Sequence, residues 1–291
     1  MQRMERAPQT GGAHFRNVVV GVDEKQGGRD AIALAEKLMA TGGSMTCVRV
    51  LVRDPLVGRG SETDTRAIDH DQVRLIEAPS VGQGLHELAE AERADLLVIG
   101  SCQRGLLGRV VIGDETSEAL NGATCAVAIA PFGYADVQAE IGPIGVAYDG
   151  SPEGAAALSV GRELARQHDA RLSAFQAVAV PAYLSMPGAG GLTLSGSEMV
   201  DDARARIAAL GDVEPHASFG IASEELAVYS ASLGLLLIGS RGYGPVGRLV
   251  HGSTSRQLAR TSRCPLLVLT RDSGSRLPST SGARPAVTAV S

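Results

Sequence analysis

Short, almost wholly apolar runs recur along this chain, and most are followed by a stretch in which apolar residues return every three or four positions. NVVVGVD (17–23) is a β-branched run of the kind that forms a parallel strand buried on both faces. Residues 30–40 then carry Ile32, Leu34, Ala35, Leu38 and Met39 as a helical stripe. CVRVLV (47–52), VRLIE (73–77), DLLVIG (95–100) and CAVAIA (125–130) predict four further strands, and Leu85, Leu88 and Ala89 predict a helix over 84–93.

The second half repeats that order. PIGVAYD (143–149) leads to a helix from 152 to about 168, then RLSAFQAV (171–178), a helix over 198–210 and VEPHASF (213–219). A helix around 223–232, LGLLLIG (233–239), a helix starting near 253 and PLLVLT (265–270) complete it. Strands alternating with helices imply parallel sheets covered on both faces and wound right-handedly, an α/β class.

The two halves are copies. Gly100 and Gly239, Gly113 and Gly252, and Cys125 and Cys264 each stand 139 residues apart. The aspartates that end the first strands, Asp23 and Asp149, are 126 apart, so the second copy holds thirteen extra residues before its fourth strand. These fall in the Gly/Pro/Ser-rich stretch 181–197, which reads as a surface loop. Only residues 53–72 separate the second and third strands of the first copy, room for a short helix at most. The expected organisation is two tandem five-stranded parallel-sheet α/β sandwich domains, 15–134 and 141–272, with a disordered Ser/Pro/Gly/Arg-rich tail at 273–291.

Composition narrows the function classes. The chain has 291 residues, 44% hydrophobic and 20% charged, and no run near the ~20 apolar residues that span a bilayer. The first sixteen residues lack the apolar core of a secretory signal, so a cytoplasmic location is expected. Cys47, Cys102, Cys125 and Cys264 form no Cys-x-x-Cys pair, which argues for reduced thiols rather than a metal or redox site. A net charge of −5, 3% aromatic residues and no Trp give no basis for nucleic-acid binding.

The chemistry concentrates at GSRG (239–242), nine residues, and then Gly252-Ser253. An apolar strand, a glycine-punctuated loop and a helix start allow backbone to approach an anion, and the helix supplies free N–H groups. Ser253, Thr254 and Ser255 add three hydroxyls at that helix start. Taken alone, Ser253 could equally be a helix cap, and Asp149 before Gly150 could equally be a turn former.

With Asp149-Gly150-Ser151 closing a first strand and Gly-x-x-Gly, nine residues, Gly-Ser in the second copy, the chain resembles the universal stress protein family in tandem form over 17–271. That family has an adenine nucleotide alpha-hydrolase-like, Rossmann-like fold, and the resemblance implies ATP as ligand, with or without Mg2+. It implies that Asp149 faces the base and ribose beside Ala147 and Tyr148, and that Ala177 offers backbone groups to the adenine edge. Gly239, Arg241 and Gly242 would form the loop near the ribose and phosphates, and Gly252, Ser253, Thr254 and Ser255 would hold the phosphate chain.

The first copy departs from this pattern: Gln103 replaces the second loop glycine, and Asp114 replaces the phosphate-binding hydroxyl residue. A carboxylate there caps its helix but repels phosphate, by roughly 4 kcal/mol per charge pair at 4 Å and an effective dielectric of 20. The first copy is therefore expected to bind ATP poorly or not at all, although Asp23 is retained.

Three functions follow. The first is a nucleotide-binding stress-response regulator with no evident catalytic residue and no metal site, slow ATP hydrolysis being left open. The second is a structural and interaction module of the same fold that binds no nucleotide, its halves forming an internal pseudo-dimer through CAVAIA and PLLVLT. A homodimer of chains stays open in either case. The third, an ATP pyrophosphatase of the alpha-hydrolase group, needs a Ser-Gly-Gly-x-Asp-Ser loop that neither VDEKQGG nor YDGSPEG supplies.

Overall fold

The computed structural model describes residues 15–23, 26–52, 73–101, 119–137, 140–179, 196–240 and 253–269. Of the expected loop at 181–197, residues 181–195 lie outside the described residues and Gly196 and Ser197 already belong to a helix; the short segment 53–72 and the tail at 273–291 also lie outside them. In the first half, β1 (Phe15–Gly21), α1 (Gln26–Leu38), β2 (Met39–Val52), β3 (Val73–Ala78), α2 (Val81–Ala91), β4 (Leu96–Gly100) and β5 (Ala126–Ala130) follow in order. The second half consists of β6 (Ile144–Ala147), α3 (Pro152–Gln167), β7 (Leu172–Val178), α4 (Gly196–Ala208), β8 (Glu214–Phe219), α5 (Ala222–Tyr229), β9 (Leu235–Gly239), α6 (Ser253–Thr261) and β10 (Leu266–Leu269).

The ten strands form one sheet in the order β3-β2-β1-β4-β5-β10-β9-β6-β7-β8. Each half is parallel within itself, and the seam is antiparallel, with Leu266 opposite Ile129, Leu267 opposite Ala128 and Val268 opposite Val127. The two expected five-stranded units are thus halves of a continuous sheet related by an approximate two-fold at the seam. CAVAIA and PLLVLT pair as the sequence suggests, and the paired residues of both strands are fully buried. At about 1.5–3 kcal/mol per buried Val, Leu or Ile side chain, that burial makes separation of the halves costly. Two apolar layers, one on each face of the sheet, run across the seam and draw on both halves.

Local sequence explains the helices. Ala31, Leu34, Ala35 and Leu38 put an apolar stripe of α1 against the sheet. Ser80 caps α2 by accepting from the Gln83 amide at 3.2 Å, and Ser151 caps α3 by accepting from Gly154 at 3.1 Å, with Pro152 at the first helical position. Several boundaries differ from expectation by two or three residues, α2 for example starting at Val81 rather than 84, and two differ by more. α1 begins at Gln26 rather than at residue 30, and β2 reaches back to Met39, its register shifting between the Phe15–Met39 and Asn17–Ser44 pairs.

The earlier start of α1 puts Asp30 inside the helix, where it is fully buried. Its carboxylate accepts from the Gly133 and Ala135 amides, each at 2.8 Å, and from Gln26 at 3.2 Å. Gly133 and Ala135 belong to the connector between the halves, whose short 3-10 turn spans Tyr134–Asp136. Lys37 of α1 lies 4.9 Å from the centre of the Tyr134 ring, a cation–π contact that adds to the same clasp. Burial pushes the Asp30 carboxyl above its usual range despite the amides that favour its charged form.

Candidate functional site

In each half the strand order reverses between the first and fourth strands, β1 beside β4 and β6 beside β9. Open α/β sheets bind ligands outside the carboxyl ends of strands at such a reversal. Two crevices, one per half, are the candidate sites.

In the second half, Ala147 ends β6, pairs with Phe175 on β7 and with Ile238 on β9, and so stands one residue short of Gly239 on the neighbouring strand. Tyr148 and Asp149 continue the chain past the sheet edge, the Tyr148 amide donating to Phe175 O at 2.9 Å. Ala177 lies two residues beyond Phe175 on β7. Ala147, Tyr148, Asp149, Ala177 and Gly239 are therefore gathered at one end of three adjacent strands.

Two of these residues have local duties. The Asp149 Oδ1 accepts from the Ser151 amide at 3.0 Å and from the Ser151 hydroxyl, while Gly150 takes a left-handed φ of 80°. This is an Asx-type turn that leads into the α3 cap. A Cβ on Gly239 would sit 2.5 Å from the Glu153 carbonyl oxygen and 2.6 Å from its carbon, so glycine is what allows β9 to end against the first turn of α3. Gly100 does the same against α1, where a Cβ would stand 2.1 Å from Gly27 O.

α6 starts at Ser253 with no acidic residue in its first turn. Ser253 is exposed, Thr254 half-buried and Ser255 buried, and Leu258 and Ala259 anchor the helix to the sheet. Its first-turn amides lack intrahelical partners by construction, which suits them to an anion. Arg241, Gly242 and Gly252 lie outside the described residues, as do Gln103 and Asp114 of the first copy.

The first-half crevice is a cleft of about 300 Å³ that the sequence did not reveal. Among the described residues, Gly21, Val48, Val50, Leu85 and Ile99 line it, with Asp23 and Arg49 as the charged side chains. Gly27 and Gly28, at the start of α1, form part of the wall, and the Asp23 Oδ1 accepts from the Gly28 amide at 2.8 Å. The adjacent glycines before a helical stripe were the available signal.

Among the described residues, no group of three or more His, Cys, Asp or Glu side chains is placed to hold a metal ion, and no helix is long and apolar enough to cross a membrane. Cys47, Cys125 and Cys264 are buried free thiols, and burial pushes Cys264 up to about 12.

Comparison with known proteins agrees with this architecture. A solved protein of unknown function from Pseudomonas aeruginosa matches with a TM-score of 0.61 at 15% identity, covering 90% of this chain and 95% of that one. A universal stress protein structure from Archaeoglobus fulgidus matches with a TM-score of 0.57 at 16% identity, over 88% of this chain and 98% of that one. At such identities these two likenesses speak for the fold alone. In sequence, a universal stress protein of Mycobacterium tuberculosis is 26% identical over 189 residues, which span 61% of this chain and only 62% of that protein. One of Thermus aquaticus is 32% identical over 130 residues, 43% of this chain and 95% of the relative. The model of the universal stress protein family matches residues 58–131 and 140–270. With two matched segments that together cover most of its length, the chain belongs to the universal stress protein family.

Proposed function

We propose that the chain binds ATP, or another adenine nucleotide, in its second half, and acts as a cytoplasmic stress-response regulator whose shape or partner choice the nucleotide biases. Residues 15–134 and 141–272 are its two units, and the second carries the site. The observation that carries this reading is the convergence of Ala147, Tyr148, Asp149, Ala177 and Gly239 on one strand-end crevice, together with a helix that starts at Ser253 without an acidic residue in its first turn. The residues present fit the group. Ser253, Thr254 and Ser255 supply hydroxyls and helix-start amides for phosphate oxygens, and Gly252 and Gly242 leave room for the backbone to approach. Ala147 and Ala177 offer small apolar surfaces to a ring.

A second reading has a specific observation in its favour. Asp149 is engaged by Ser151, and Gly239 is required by the packing of α3, so both residues have structural reasons independent of any ligand. On that reading the chain is an interaction module whose halves simply complete each other. Mass spectrometry of small molecules released from the purified chain separates the two. Nucleotide binding predicts an adenine nucleotide that copurifies and is absent from Gly252→Asp. A chain that releases none, and takes up none when ATP is added, is the interaction module.

A further inference from the structure

We propose that one face of the β2–β3 strand pair docks an amphipathic helix of a partner protein, a helix whose apolar stripe is bordered by basic residues. The register of the two halves identifies the face. Leu96 and Leu235 stand 139 residues apart, as the other landmarks do, and they pair with Val18 and Ile144. On its other side Val18 pairs with Met45, and Ile144 with Leu172, so Leu51 and Val178, each six residues farther along, are equivalent. Arg49 pairs with Leu75, and its equivalent Gln176 pairs with Ala217, so Leu75 and Ala217 are equivalent too.

The halves treat these positions differently. Val178 and Ala217 are 8% and 7% exposed, packed with Met199, Val200 and Ala203 of α4. Leu51 and Leu75 are 37% and 51% exposed. Side chains alternate between the faces of a strand. Cys47 and Val73 pack in the layer of α1, and Val50 and Ile76 pack in the opposite layer. Leu51 and Leu75 therefore share the α1 side, across the sheet from Val48 and Val50, which line the first-half cleft. Parallel strands are normally covered on both faces, so two adjacent leucines left half-open mark the place of a missing layer. In the second half residues 179–213 join β7 to β8 and include α4. Only residues 53–72 join β2 to β3, and with no Val, Leu, Ile, Met or aromatic residue from 58 to 66 their sequence offers no apolar stripe.

The repeat also indicates the occupant. In the half where this face is covered, the cover is a helix, and helical spacing puts Arg204 and Arg206 on the borders of its stripe of Met199, Val200, Ala203 and Ile207. In the first half Glu77 is exposed and pairs with Leu51, where the second half has Phe219 opposite Val178. A carboxylate beside two leucines favours a helix with Lys or Arg next to its apolar anchors.

The probe is a fluorescein-labelled peptide of residues 196–210, the α4 sequence, titrated with the full chain by fluorescence anisotropy. It should saturate one site. Leu75→Asp should weaken binding at least about tenfold, and Leu51→Asp is the second blocking variant should Leu75→Asp misfold. Glu77→Lys should weaken it severalfold at low salt and less at high salt. A peptide carrying Ala203→Asp and Ile207→Asp should not bind, and a chain carrying Val228→Asp, on the exposed face of α5, should bind as the wild type does. The chain alone should sediment as the same species with and without Leu75→Asp. No saturation by millimolar peptide overturns the proposal. So does undiminished binding by a folded Leu75→Asp or Leu51→Asp chain, binding of the doubly substituted peptide, tighter binding by Glu77→Lys, or an equal loss in Val228→Asp. A chain that dimerises and is made monomeric by Leu75→Asp would assign the face to a second copy and overturn it as well.

Discussion

Gly239→Ala separates a packing role from a ligand role at the strand end that feeds the proposed nucleotide loop. The added Cβ would stand 2.5 Å from the Glu153 carbonyl oxygen and 2.6 Å from its carbon. Comfortable carbon contacts lie near 3.5–4.0 Å, so the end of β9 and the first turn of α3 must part by about 1 Å. Both obstacles are backbone atoms at the start of a helix capped by Ser151, and no side-chain rotation relieves them. Overpacking of this kind costs about 1–3 kcal/mol. Alanine returns about 0.4–1 kcal/mol by narrowing the unfolded ensemble, so a net loss of about 1–2 kcal/mol is expected. Urea unfolding reads it as a lower midpoint with an unchanged slope. Gly150→Ala is the contrast. It has no heavy atom within 4 Å and bears only the strain of a φ of 80°, about 1 kcal/mol. Gly100→Ala, with 2.1 Å to Gly27 O, should lose more than Gly239→Ala. A Gly239→Ala chain that unfolds at the wild-type urea midpoint would refute the packing argument.

Other substitutions and conditions probe the rest of the account. Asp30→Ala leaves the Gly133 and Ala135 amides without their acceptor and should cost about 2–4 kcal/mol in urea unfolding; a loss below about 1 kcal/mol would mean the connector is held by other contacts. Burial holds His168 below its ordinary 6.5, so the unfolded chain takes up the proton more readily. Its contribution to stability is present above about pH 6.5 and is lost as pH falls through the lower folded value. The wild type should therefore lose stability between pH 7 and 5 more steeply than His168→Gln, and identical slopes would contradict this. A thiol reagent at mildly alkaline pH should leave Cys47, Cys125 and Cys264 unmodified until denaturant is added; peptide mapping that finds Cys264 labelled in the native chain would show that its burial is overstated.

Much of the architecture was legible because it rests on period and repetition. Continuous β-branched runs such as VVV at 18–20 can only be strands buried on both faces, and the constant spacing of Gly100/Gly239 and Cys125/Cys264 aligned the halves without any outside reference. The apolar runs at 126–130 and 266–269 demanded partners, and they found each other. What escaped depends on three-dimensional pairing. Asp30 reads as a polar residue at a helix start, yet its partners are backbone amides more than a hundred residues away, and backbone amides leave no mark in a sequence. The extension of β2 back to Met39 runs through Thr41-Gly42-Gly43, which looks like a turn; Gly42 indeed has a φ of 80°, at a register shift within the strand. The first-half cleft draws its lining from β1, β2, β4, α1 and α2, which only the sheet order brings together. At the carboxyl ends of the second-half strands Ala147, Tyr148, Asp149, Ala177 and Gly239 lie together, whereas Arg241, Gly242 and Gly252 fall outside the described residues.

The central claim is one nucleotide site per chain, located in the second half. Calorimetric titration of ATP into the full chain, the Gly252→Asp chain and the Asp114→Ser chain tests it most directly. The account predicts a stoichiometry of one for the wild type and no binding by Gly252→Asp. Two sites in the wild type, or binding that survives Gly252→Asp but changes in Asp114→Ser, would place the nucleotide in the first half and contradict it.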